Sequence, residues 1–532
     1  MGHVRDGTSS LCSVEDLLSD LRDLRSVAQR LRDAILERAD EVSRCPTIPL
    51  ATRTEQSRLI LEQTNGLRAQ IEELSGAVTP GLLQEMQPSP LQAAKEHHAS
   101  LLRSRLAAIA GATLASDWNS PSIAHSVMSN AGRECGTITS FLDDYKRDRH
   151  RLAADYEEAW LNQYVDARRK DGLRALVTSS GMSAFITIAH LIRAEPSGRP
   201  LLVGRATYHE CRDLLESGIA GRKVVEVDET NLETVMQAVQ QIDPSGLVLD
   251  SLGNNSTIAF PDLEGIFRRL ASIGFAGVVV VDNTGRSVTA QPWARENREE
   301  LRLIEFESIT KYAQLGFDRT AAGMIVASSV DGAALDELRE HLGTNITDMS
   351  VTQLPTPDRP VLERRLARIG RNAAAIAMSL QQHVEEWCLP LDIHHPSLPN
   401  HPSYAVARER AFHGGSLAIG FHPTIDHHPV RQRLVELCLD EARTAGVPMV
   451  HGTSFGFDTT RVYLTSAHAD HGIPFVRISA GTEHADQIRS VVKVLQAAVT
   501  RAAVGEFAVS RFRGTSTTRS ASRREPASVH PR

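Results

Sequence analysis

Over the first hundred or so residues, apolar side chains recur every three or four positions. Leu17, Leu18, Leu21, Leu24, Val27, Leu31 and Ile35 make one stripe, which predicts an amphipathic helix over 11–45. Ser13-Val-Glu-Asp16 can cap its start, and Pro46 and Pro49 end it. Two more helices are expected near 54–76 and 89–112, separated by Pro80 and Pro88-Ser-Pro90. From about 165 the texture changes to short runs rich in β-branched residues: 173–177, 200–203, 223–227, 246–249 and 278–281. Amphipathic helices at 231–241 and 261–273 lie between them. That alternation predicts a mostly parallel sheet covered on both faces, with ligands at the carboxyl ends of its strands, where Asp250 and Asp282 fall. Past 345 come a long helix (361–387), a loop rich in Pro and His, and further strands and helices to about 506. The expected division is a helical extension over 1–115, a large domain with an N-terminal arm over 116–345, a small C-terminal domain over 346–506, and a disordered tail over 507–532.

A chain of 532 residues with 41% apolar content exceeds one ordinary core. No apolar run reaches the ~18 residues of a membrane helix, mean hydropathy is −0.22, and the first residues lack a secretory core, so no membrane role and a cytoplasmic location are expected. A net charge of −7 and a pI near 6.3 argue against general nucleic-acid binding, although the C-terminal tail is locally basic. Six scattered cysteines without a C-x-x-C pair indicate reduced, mostly buried thiols, and the irregularly spaced histidines at 394–401 and 422–428 predict no metal site.

Only six residues are lysines, although Lys and Arg together number 58. One of them, Lys311, lies in Glu307-Ser-Ile-Thr-Lys-Tyr312, some thirty residues after an apolar run that ends in Asp282-Asn283-Thr284. A strand-tip carboxylate and a later lysine flanked by hydroxyls are what pyridoxal phosphate (PLP) requires. Lys311 would form the Schiff base, Asp282 would keep the pyridine nitrogen protonated, and the hydroxyls of Ser308 and Thr310 would receive phosphate. Ser180-Gly-Met-Ser-Ala184 reads as a strand-to-helix turn, where the free N–H groups of Gly181 and Met182 can bind the same phosphate.

In order and spacing, these motifs resemble the Cys/Met-metabolism family of PLP enzymes, which includes cystathionine γ-synthase, cystathionine γ-lyase and methionine γ-lyase. The resemblance runs from about Tyr145 to Ala498 and omits the N-terminal helices. It implies an α/β, fold-type-I PLP-dependent transferase fold, similar to aspartate aminotransferase, with the helical region as an addition. Ser180-Gly-Met-Ser-Ala184 is similar to the family's S-G-M-x-A turn. Tyr145-Lys-Arg147 resembles the segment that reaches a neighbouring subunit's phosphate, which implies a homodimer or homotetramer with an active site shared across the dimer. Tyr208 stands where the family stacks a tyrosine on the pyridine ring, and with Lys311 it is the catalytic candidate. Asp250-Ser-Leu-Gly-Asn254 resembles E-x-P-x-N, which gives Asn254 the cofactor's phenolic oxygen. His395-Pro-Ser-Leu-Pro-Asn-His-Pro402 and Phe475-Val-Arg-Ile-Ser-Ala-Gly-Thr-Glu483 resemble two C-terminal motifs. The second gives Arg477 the substrate α-carboxylate, with Ser454 beside it.

The implied activity is γ-elimination or γ-replacement on an L-amino acid, through a vinylglycine-type intermediate. The alternative on the same fold is β-elimination, transamination or C–C bond formation. Several residues depart from the family pattern: Glu210 after Tyr208, Leu252 for a proline, Gly285-Arg286 after D-N-T, and Leu315-Gly-Phe-Asp318 after the lysine. A carboxylate (Glu210) and a guanidinium (Arg286) near the pocket suggest a polar or charged substrate and specialised amino-acid metabolism.

Overall fold

The computed structural model describes residues 7–44, 50–77, 87–114, 151–167, 170–294, 301–465 and 474–503. Tyr145, Arg147 and the segment 507–532 lie outside the described residues. Three long helices come first: α1 (Gly7–Arg44), α2 (Leu50–Ala77) and α3 (Pro88–Leu114), each in contact with the other two. The stripe read from the sequence is the buried one, with Leu17, Leu18, Leu21, Val27 and Ile35 all buried. Ser13 differs from expectation. It sits inside α1, so it does not cap that helix, and its hydroxyl accepts the Asp486 N–H at 3.1 Å at the start of a distant C-terminal helix.

After α4 (Arg151–Tyr164) the chain alternates strand and helix. The elements are β1 (Leu173–Thr178), α5 (Gly181–Ala194), β2 (Leu201–Gly204), α6 (His209–Glu216), β3 (Val224–Val227), α7 (Leu232–Ile242), β4 (Gly246–Asp250), α8 (Leu263–Ser272), β5 (Val278–Asp282), β6 (Arg302–Ser308), β7 (Gly323–Ser328) and α9 (Ser329–Leu342). The sheet order is β1-β7-β6-β5-β4-β2-β3. Strands β3, β2, β4, β5 and β6 run parallel, while β7 runs antiparallel to both β6 and β1. The all-apolar β5 run Val278–Val281 is wholly buried because helices cover both faces of the sheet.

The remaining elements are α10 (Asp348–Thr352), α11 (Arg359–Glu386), β8 (Leu391–His394), α12 (Tyr404–Ala407), β9 (Ser416–Phe421), α13 (His428–Ala445), β10 (Val450–His451), β11 (Arg461–Thr465), β12 (Phe475–Ser479) and α14 (Ala485–Ala502). A second sheet, ordered β10-β11-β12-β9-β8, is covered by α11, α13 and α14 over its own apolar core. Among the described residues Cys211 and Cys438 are buried free thiols, Cys12 is half-buried and Cys388 is exposed. The histidines of the Pro-rich loop are engaged structurally. His395 Nδ1 lies 2.7 Å from Ser397 Oγ, and His401 Nε2 lies 2.5 Å from the Thr257 carbonyl oxygen. Among the described residues no helix is long and apolar enough to cross a membrane.

Charge docks the three-helix region onto the body. Asp16, Asp20 and Asp23 share one face of α1, and Arg364, Arg368 and Arg371 share one face of α11. Asp16 bridges Arg368 at 3.1 Å and Arg371 at 2.7 Å, while Asp20 meets Arg368 at 3.4 Å and Lys95 of α3 at 2.8 Å. Asp16 and Arg368 are both buried, so removing Asp16 leaves the Arg368 charge away from water with only Asp20, at 3.4 Å, to offset it. Asp16→Ala is therefore expected to lower stability by roughly 2–4 kcal/mol, read as a lower urea midpoint and faster proteolysis within residues 7–114. An unchanged midpoint would contradict this account of the docking.

Candidate active site

The carboxyl ends of β4 and β5 lie side by side, with Asp250 directly paired in register with Asp282. Both carboxylates are buried. Desolvation pushes the Asp282 pKa up to about 6, against the opposing pull of hydrogen bonds from Thr284 and of the Lys311 charge. Asp250 is pushed well above its ordinary value, first by burial and then by the neighbouring Asp282. The Thr284 N–H fixes Asp282 Oδ1 at 2.9 Å, and the Tyr208 N–H fixes Asp250 Oδ2 at 3.0 Å. Thr284 Oγ1 also accepts the Ser308 N–H at 2.9 Å, which ties the D-N-T turn to the end of β6.

Lys311 follows that strand end. Its Nζ donates to Ser454 Oγ at 2.7 Å. Burial lowers its pKa; Asp318, Asp282 and Glu210 oppose that shift, and Arg477 adds to it. Ser454 adopts a left-handed φ of 80°, which costs energy in a residue with a Cβ and persists because the surrounding loop imposes it. Two residues on, Gly456 has φ 91°, and a Cβ there would come within 2.9 Å of the Lys311 carbonyl. Only glycine permits that approach.

These groups open on one cavity of about 680 Å³. Ser180, Gly181 and Met182 line it at the start of α5, and Ser308, Thr310 and Lys311 line it after β6. Tyr208, Glu210 and Asn254 line a third side, and Ser454 and Arg477 come from the C-terminal part of the chain. Arg286 does not line it. Its guanidinium is buried over the Phe260 ring, 4.5 Å from the centroid, and forms no ion pair with Glu210 among the described residues. The expectation that Arg286 faces the substrate is corrected accordingly: Gly285 lies against Leu252, and the next side chain is carried to Phe260. Several lining groups were not among the site residues expected from the sequence, Asp250, Thr284, Tyr312, Phe455 and Tyr463 among them. Asp250 was visible as a strand-tip acid, but Tyr463 on β11 carried no distinguishing signal.

A phosphorylated aldehyde cofactor fits this cavity. The Ser180 hydroxyl takes the Ser183 N–H at 3.0 Å, while the preceding N–H groups of Gly181 and Met182 have no partner among the described residues. A Cβ at Gly181 would come 2.7 Å from that of Ser308, and one at Gly323 would run into the Ser180 carbonyl oxygen. The turn therefore stays open to an anion only because both positions lack side chains. On the opposite side, Arg477 is buried and no carboxylate pairs with it among the described residues, although its guanidinium carbon lies 5.2 Å from the Phe475 ring centroid. An unpaired buried cation calls for an anionic ligand.

Comparison with known proteins gives the same picture. A family model described as Cys/Met metabolism PLP-dependent enzyme matches residues 161–496. The curated protein "Bifunctional enzyme flvA" from Aspergillus flavus is 26% identical over 336 residues; the match covers 62% of this chain and 39% of that protein, so the chain spans about two fifths of the relative's length. Apo CalE6, a methionine gamma lyase from Micromonospora echinospora, has a TM-score of 0.52 at 21% identity, covering 66% of this chain and 87% of the other. Cystathionine gamma-lyase from Lactobacillus plantarum, complexed with L-serine, gives 0.55 at 18%, covering 68% and 91%. The metB structure from Corynebacterium glutamicum gives 0.56 at 18%, covering 72% and 93%. At these identities the solved structures share the fold. Helices α1–α3 lie outside the residues that the family model matches.

The direction of the Asp282 shift predicts a pH dependence. Because its folded pKa lies above the unfolded value of about 3.9, the folded state binds this proton more tightly. The resulting stability is fully present below about pH 4 and is lost as pH rises through about 6. Cofactor-free Asp282→Asn is expected to lose less stability than wild type between those values in melts recorded against pH, whereas parallel curves would contradict the assignment.

Proposed function

This chain belongs to the Cys/Met metabolism PLP-dependent enzyme family, and from that premise we propose that it acts on an L-amino acid with a γ-leaving group, by γ-elimination or γ-replacement. The observation that carries the proposal is Arg477. Its buried, uncompensated guanidinium shares one cavity with the desolvated Lys311 amine, so an α-carboxylate bound there brings the substrate Cα towards that amine.

The residues divide the work. Gly181 and Met182 N–H groups, with the Ser308 hydroxyl, would hold the cofactor phosphate at the α5 N-terminus. Asp282 would hold a proton on the cofactor ring nitrogen, Asn254 would meet its phenolic oxygen, and the Tyr208 ring would stack on the cofactor ring. When bound, PLP draws off the charge that develops at the substrate Cα. Lys311 takes the Cα proton, because lost hydration favours its neutral amine. Ser454 orients that amine through the 2.7 Å hydrogen bond.

Glu210, exposed at the cavity wall, favours a substrate whose distal end is cationic or donates hydrogen bonds, which suits specialised rather than general metabolism. Tyr145 and Arg147 would reach a partner subunit's phosphate, so the active unit proposed is a homodimer or homotetramer.

The test is incubation of the PLP-loaded enzyme with O-acetyl- or O-succinyl-homoserine, cystathionine and methionine, each with and without an added thiol nucleophile, following 2-oxo acid and new thioether. Turnover of a γ-substituted substrate supports the reading. Inertness towards all four, with turnover of β-substituted amino acids, transfers the assignment to the alternative chemistry. Arg477→Ala is expected to raise KM by roughly 10²-fold with a smaller loss in kcat, measured in steady-state assays. An unaltered KM would remove the carboxylate role.

A further inference from the structure

The loop that follows Lys311 is held from outside the family's own fold. Leu315, Gly316 and Asp318 all have positive φ, at 54°, 82° and 49°, so the turn 315–318 is costly to maintain without external support. Support comes from α3. Arg103 Nε donates to the Phe317 carbonyl oxygen at 2.9 Å and Arg103 Nη2 to that of Gly316 at 2.8 Å, one planar fork on two consecutive carbonyls. About two turns earlier in α3, the buried Lys95 Nζ donates to Thr482 Oγ1 at 3.0 Å and to the Thr482 carbonyl oxygen at 3.2 Å.

From Thr482 the chain of contacts leads back to the same amine. Thr482 Oγ1 donates to Asp458 Oδ1 at 2.9 Å, and Arg365 Nη1 donates to that oxygen at 2.7 Å. Arg365 Nη2 donates to the Gly456 carbonyl oxygen at 2.9 Å, in the loop whose Ser454 Oγ receives the Lys311 amine. Lys311 is therefore suspended between two loops, and α3 holds both.

We propose that α3 of the added helical region is a positioning element of the active site, in which Arg103 and Lys95 fix the two loops between which the Lys311 amine is held. This rests on the assignment of Lys311 under Proposed function and adds a task for helices that the family match does not reach. Arg103 and Lys95 act through the loops, not on substrate. The charged groups facing Lys311 are Asp318 on the 315–318 turn, Asp282 at the end of β5, Glu210 on α6 and Arg477 on β12. Releasing the turn withdraws Asp318, the first of the attractive charges, and leaves burial and Arg477 in place.

The experiment uses the full chain and the variants R103A, R103K and R30A. Arg30 docks α1 through Asp358 at 2.8 Å and touches neither loop, so R30A controls for general loosening. In cofactor-free protein, the rate of Lys311 modification by trinitrobenzenesulfonate is followed against pH by peptide mass spectrometry. In PLP-loaded protein, the visible absorbance is titrated over the same range. R103A is expected to move both midpoints downward by about half a pH unit, and R103K, with one ammonium for two carbonyls, by less in the same direction, while R30A stays at the wild-type midpoint. If R103A fails to fold, R103K carries the comparison. Wild-type midpoints in every folded Arg103 variant, or an equal displacement in R30A, overturns the proposal. Failure of wild type to gain visible absorbance with PLP overturns the functional assignment instead, and the labelling profile still decides whether α3 positions the amine.

Discussion

The structure depends on keeping an amine out of water at the edge of a sheet. Lys311 gives up hydration that an ammonium strongly favours, and the fold answers with the Asp282 and Asp318 carboxylates, the Ser454 hydroxyl, and a guanidinium at Arg477 that limits how much positive charge the pocket tolerates. The amine's pKa is thereby lowered from its ordinary value, the direction that a group which must give up and take protons requires. The same exclusion of water acts on Asp282 with opposite sign, so a reluctant cation and a reluctant anion face each other across a cavity built for a ligand that satisfies both.

That arrangement follows from the parallel sheet. Strands β4, β5 and β6 end on the same side, so whatever follows their last apolar residues converges there. The glycines do the rest locally. Gly181 and Gly323 keep the anion turn open, and Gly456 lets the C-terminal loop rest on the Lys311 backbone.

Much of this was legible in the sequence because it is local or periodic. The five β-rich runs and their helices reflect burial on both faces, and the turn at Ser180, the D-N-T strand tip and the S-I-T-K segment each carry their chemistry within a few residues. What was not legible depends on pairings across hundreds of positions. The acidic face Asp16, Asp20 and Asp23 and the basic face Arg364, Arg368 and Arg371 each read alone as a solvated stripe. Nothing near Arg103 announces the Gly316 and Phe317 carbonyls. Arg286 misled for a related reason: sequence places its Cα beside the site, but the backbone turn after Gly285 decides which way the side chain leaves, and it leaves towards Phe260.

The central claim is that one amine, held over one strand-tip carboxylate, carries the cofactor. Reducing the PLP-loaded protein with borohydride and mapping the pyridoxyl group by peptide mass spectrometry tests it directly. A single modified lysine, Lys311, is expected, with none among the other five. Pyridoxyl on a different lysine, or on none, would contradict it.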